Sequence, residues 1–106
     1  MNRQKSMGLG GSIVSKHLLT GEGELRWCVR DEAANPLDNG WRFFADIDTE
    51  EYLNDPDNMT VCDFGTVVDI EPAVLQIYDM PVGTDLTLLI DKGKRTFIHT
   101  DTGRKV

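Results

Sequence analysis

Gly40-Trp41-Arg42-Phe43-Phe44-Ala45-Asp46-Ile47-Asp48-Thr49-Glu50-Glu51-Tyr52-Leu53-Asn54-Asp55-Pro56-Asp57-Asn58 joins a core-forming strand to a dense run of acid. Trp41, Phe43 and Phe44 put three of the chain's eight aromatic side chains in four consecutive positions, more apolar area per residue than any other segment offers. In an extended chain Trp41 and Phe43 share one face and Phe44 takes the other. The strand at 41–45 is therefore predicted to be central in its sheet and covered on both faces. The character then changes. Asp46, Asp48, Glu50, Glu51, Asp55 and Asp57 follow with no Lys or Arg among them, the most negative stretch of the chain. Asp48 or Thr49 is a suitable N-cap for a short helix whose first turn holds Glu50 and Glu51, where carboxylates suit the dipole. Tyr52 and Leu53 supply its buried side. Pro56 and the flanking Asx residues end it in a compact loop.

Outward from this stretch, towards the N-terminus, 24–30 alternates Leu25, Trp27 and Val29 with Arg26, Cys28 and Arg30, the period of a half-buried strand. Residues 13–19 are rich in β-formers, and Thr20-Gly21-Glu22-Gly23 is a turn, so the two segments are expected to pair as an antiparallel hairpin. With Leu25, Trp27 and Val29 on the core, Cys28 would lie between two arginines on the other face. Those cations would favour its thiolate, but an inert, covered small side chain is the preferred reading. Gly8, Gly10 and Gly11 mark a structural turn; a phosphate loop would need a strand before it and a helix after it. Residues 31–39 are loop-forming, with Asn35-Pro36 and Asp38-Asn39-Gly40 as turn formers.

Towards the C-terminus the period becomes helical over 59–80. Val61, Phe64, Val67, Val68 and Ile70 fit a half-buried turn or two capped by Asp63. Pro72 is placed to begin a second helix at 73–78. Residues 85–90 and 95–100 form the clearest hairpin, turning at Asp91-Lys92-Gly93-Lys94. The fold expected is α+β, a mainly antiparallel sheet of about four to six strands with two or three short helices. Trp27, Trp41 and Phe43 are its expected core. A flexible or turn-rich segment at 1–12 and a tail at 102–106 are expected to flank one domain at 13–101.

One hundred and six residues support one core and not two. A net charge of −7 argues against nucleic acid and anionic membrane as partners, since phosphate binding needs a basic footprint. Arg3 and Lys5 are followed by no apolar stretch, so neither a signal peptide nor a membrane span is expected. Cys28 and Cys62 form no CxxC and are expected to be free thiols in a cytoplasm.

Four motifs in order carry a family resemblance: GLGG at 8–11, GWRFF at 40–44, EYLNDPDN at 51–58 and Pro81-x-Gly83. Together they resemble a family of small bacterial domains of unknown function that is grouped with the immunity proteins of polymorphic toxin systems. The resemblance implies a cytoplasmic inhibitor that binds and blocks a toxin domain, and it brings no catalytic residues.

The residues themselves point to no established chemistry. Asp46, Asp48 and Glu50 have the alternate spacing of a calcium loop, but Glu51 stands where that loop needs glycine and Asp57 where it needs a bidentate Glu. His17, His99, Cys28 and Cys62 include no pair at zinc-ligand spacing. No nucleophile elbow or Walker loop is present. No catalytic residue, metal or cofactor is assigned. Asp46, Asp48, Glu50, Glu51, Tyr52, Asp55 and Asp57 are the expected contacts to a basic protein partner, a toxin domain, with Tyr52 as the aromatic anchor. An alternative reading turns the same acids into a pocket, as a small-ligand or metal-binding domain with minor enzymatic activity.

Overall fold

Trp41, Phe43 and Ala45 leave the same side of one strand and are all fully buried, so the aromatic run does anchor the core. A computed structural model describes residues 8–106; of the segment expected at 1–12, residues 1–7 lie outside the described residues. Six strands form one sheet: β1 (Gly11–Ser15), β2 (Leu25–Arg30), β3 (Asp38–Ala45), β4 (Met59–Asp63), β5 (Asp85–Asp91) and β6 (Lys94–His99). Their order is β4-β1-β3-β2-β5-β6. Only β1 and β3 run parallel; every other neighbouring pair is antiparallel. Three short helices, α1 (Lys16–Thr20), α2 (Glu50–Leu53) and α3 (Phe64–Ile70), and two 3-10 turns at Pro56–Asn58 and Pro72–Gln76 complete an α+β fold. Phe64, Val67, Val74 and Ile77 pack onto Val14, Cys28, Phe43, Leu86 and Leu88, which closes one face of the sheet.

Several elements follow their local signals. Asp63 Oδ2 accepts from the Gly65 N–H at 2.8 Å and caps α3, and Pro72 opens the second 3-10 turn. Lys92 and Gly93 both take positive φ, the geometry a two-residue hairpin turn needs to match strand twist. At the C-terminus residues 102–106 turn back along β6. The Arg104 carbonyl accepts from His99 N–H at 2.8 Å, Ile98 bridges Lys105, and an otherwise open edge is partly covered.

Three expectations are corrected. β1 and β2 are not a hairpin: Ser15 caps α1 through its hydroxyl, Gly21 ends that helix at positive φ, and β3 inserts between the two strands. Residues 59–63 are strand, pairing with β1 along their whole length, because tertiary pairing overrides a weak helical period. The phase of β2 also changes midway. Between Leu25 and Trp27 the chain advances two residues while β3 advances one, from Ala45 to Phe44, so Arg26 is a bulge. Leu25 and Cys28 therefore face the core, while Trp27 and Val29 take the opposite face, only half-buried. Cys28 is enclosed, and burial, with Asp85 adding, pushes its thiol well above its ordinary range. Cys62 is also free.

β3 is irregular at its start, and charge holds it there. Asp38 accepts from Ala34 N–H at 2.7 Å and Gly40 N–H at 2.8 Å, and receives both Arg42 Nη atoms at 2.8 and 2.9 Å. The Arg42 pairing, aided by those backbone donors, holds the Asp38 carboxyl far below the usual carboxylate range despite burial. A carboxylate with a depressed folded pKa contributes stability that is fully present above its unfolded value, near ~3.9, and lost as pH falls through the folded value. Asp38→Asn is therefore expected to cost about 1.5–3 kcal/mol at pH 7. In urea melts its deficit relative to wild type should narrow below about pH 4. A deficit independent of pH would rule out the charged pair as its source.

Candidate partner-binding surface

The acidic segment sits at the end of the sheet where β3 leaves and β4 enters, and one of its acids is structural. Asp48 has a fully buried side chain. Its Oδ2 accepts from Ala45 N–H at 2.7 Å, and its Oδ1 accepts from Ser15 Oγ at 3.0 Å and from His17 Nδ1 at 2.7 Å. A carboxylate can only accept, so His17 Nδ1 carries the proton in this pair. The Tyr52 ring stacks on His17 with centroids 4.0 Å apart and planes within 12°. This anchor ties the turn after β3 to the end of β1.

The remaining acids are held outward by local caps. Thr49 Oγ1 accepts from Tyr52 N–H at 3.0 Å and starts α2, with Glu50 and Glu51 in its first turn. Asp55 Oδ1 accepts from Asp57 N–H at 2.9 Å across Pro56, and Asn58 Nδ2 donates to the Tyr52 carbonyl at 2.8 Å. Glu50, Glu51, Asp55 and Asp57 are exposed, and Asp46, half-buried, accepts from Glu24 N–H at 3.0 Å. Among the described residues no Lys or Arg lies within ion-pair distance of any of these five. Of the seven expected contact residues, four thus present free carboxylates together. Asp46 sits at their margin. Asp48 is turned inward, and Tyr52 is engaged with His17.

Ser15, His17 and Asp48 were not linked to one another by sequence, and their types suggest a catalytic triad. The order in space is different. Asp48 lies between the hydroxyl and the imidazole, so His17 is not placed to take a proton from Ser15. The cluster is a fastening. Among the described residues no three His, Cys, Asp or Glu side chains converge where a metal could be held.

A concavity lies elsewhere, with a volume of about 960 Å³ between the glycine turn, the 31–39 loop and β4. Leu9, Leu37, Val61, Cys62, Tyr78 and Val82 contribute to its lining, and none of residues 46–57 does. Among the described residues no helix is long and apolar enough to cross a membrane.

Comparison with curated proteins and with solved structures finds no match. A family model does match, that of the immunity protein Imm33 domain, over residues 12–99. The matched span runs from β1 to the end of β6 and takes in the whole sheet with the acidic segment. This chain belongs to the Imm33 family of immunity protein domains.

Proposed function

We propose that this protein is a cytoplasmic, non-catalytic inhibitor that binds a toxin domain with a basic surface and blocks it, using the acidic segment at 46–57. The observation that carries this reading is the set of exposed carboxylates at Glu50, Glu51, Asp55 and Asp57, which no cation of the described chain neutralises. Uncompensated charge on a fixed turn projects a field that steers a cationic partner and rejects acidic ones. Family membership supplies the class of partner. The buried Asp48 serves by holding the turn, not by contact.

The test uses a toxin domain against whose activity this chain protects cells on co-expression. Reversing Glu50 and Glu51 together, E50K with E51K, should slow association by about 10-fold or more at low salt and flatten its salt dependence, with far-UV circular dichroism unchanged. Association measured by stopped flow that ignores the double reversal at low salt would remove the acidic segment from the interface.

A further inference from the structure

The bulge at Arg26 has the effect of delivering a row of apolar side chains to the sheet face that no helix fills. Every buried helical side chain, from Leu18 to Val74, joins the core on the first face. On the second face the register aligns Phe44, Trp27, Thr87 and Ile98 across β3, β2, β5 and β6. A neighbouring row aligns Val61, Ile13, Arg42, Val29 and Asp85. Val61 is 70% exposed, and Trp27, Phe44, Ile13, Val29 and Ile98 are each only half-buried. A solvated antiparallel face is ordinarily polar, and in these two rows six of nine side chains are apolar.

Charge says what would cover it. Arg42, the cation within the rows, is bound by Asp38 and approached by Asp31 at 3.6 Å, and Asp85 lies in the same row. Asp46 stands at the opposite end, accepting from the Glu24 N–H. Against these four carboxylates stand Arg42, Arg26 at the bulge and Lys105 at the β6 edge, and Asp91 opposite Lys94 cancels, leaving the face net negative around an apolar centre. A second copy would bring acid against acid across a two-fold axis. A basic partner would not.

We propose that this open face, centred on Trp27 and Phe44, is the apolar centre of the docking surface for a basic protein domain, with the acidic segment as its steering rim. Six strands at ~4.8 Å spacing and about six residues at ~3.3 Å give a face of roughly 24 by 20 Å. That is about half of the ~800 Å² per partner of a stable interface, so the face needs the rim to complete it. Half-exposed Trp and Phe at the middle of such a patch are the residues in which binding energy concentrates.

This inference rests on the toxin-binding reading, and the test separates the two. The chain has two tryptophans, Trp27 half-buried and Trp41 enclosed, so 5-fluorotryptophan labelling gives two distinguishable 19F signals. On titration with that toxin domain, the Trp27 signal should shift and lose its solvent isotope effect while the Trp41 signal holds. Phe44→Ala, which leaves the core untouched, should weaken binding on the order of thirty-fold with little change in salt dependence. If the complex forms and both the Trp27 signal and the Phe44→Ala affinity stay as in the free and wild-type protein, the open face is not the interface and the inhibitor reading stands. If the toxin domain does not bind wild-type protein, both fail. Wild-type dimerisation in sedimentation that Phe44→Ala abolishes would assign the face to a second copy and overturn the proposal.

Discussion

Trp41→Ala should bring the fold close to unfolding at room temperature, at a cost of about 3–5 kcal/mol for a large aromatic removed from a core. The side chain is fully buried, lies 6.0 Å from Phe43 between ring centroids, and carries the Arg30 guanidinium 5.7 Å above its ring. Its Nε1 donates at 3.0 Å to the Tyr78 carbonyl, which Arg30 Nη1 also reaches at 3.0 Å. Trp41 thus joins the central strand to the segment that follows the second 3-10 turn, and truncation leaves a cavity at that seam. A small domain has only about 5–15 kcal/mol in hand, so the loss consumes much of it. Urea denaturation followed by circular dichroism measures the effect. Trp41→Phe should cost far less, because the Tyr78 carbonyl keeps Arg30 as a donor. A Trp41→Ala protein with a wild-type midpoint would mean that the seam contributes nothing.

Gly40→Ala is expected to be nearly as damaging, although it adds a single methyl group. Gly40 has φ +88° inside β3, where an L side chain costs about 1–2 kcal/mol. A Cβ there would overlap the Asp31 carbonyl oxygen, which is backbone and cannot rotate away. Overpacking of this kind adds about 1–3 kcal/mol. The same glycine is fixed on both sides, since its N–H donates to Asp38 at 2.8 Å and its carbonyl accepts from Asp31 N–H at 2.8 Å. The melting temperature of Gly40→Ala against that of Gly83→Ala separates the causes. Gly83 also has positive φ, at +99°, but no atom within 4 Å of a built Cβ, so its substitution should show the conformational cost alone. Equal losses at the two sites would mean that the contact with Asp31 is relieved without cost.

How much was legible can be followed through particular residues. The aromatic run read as a central strand because three rings in four positions can be buried together only inside a sheet, and β3 is central. The expected cover on both its faces was wrong: Phe43 joins the core and Phe44 does not. Phe44 looked as buried as Phe43, yet hydrophobicity marks a side chain that prefers burial without saying which side of the sheet receives a helix. The caps at Thr49, Asp63 and Pro72 and the turn at Lys92-Gly93 were legible because they act within a few residues of themselves. Of the acids, Glu50, Glu51, Asp55 and Asp57 lie outward together. Asp48 could not be distinguished from them, because its burial depends on Ser15 and His17, more than thirty residues earlier in the chain.

The sequence by itself determined the class of fold, the central strand, the local caps and turns, and the negative charge of the molecule. These depend on side-chain area, backbone preference and charge, which each residue carries wherever it lies. Tertiary structure alone decided that β3 separates β1 from β2, that 59–63 is an edge strand, and that one extra residue at Arg26 exchanges Trp27 for Cys28 in the core. It also decided which face stayed open. Strand order and register are set by the competition among whole strands for partners and among side chains for one shared interior. A single bulge reverses every face beyond it, and no local preference in the sequence records that choice.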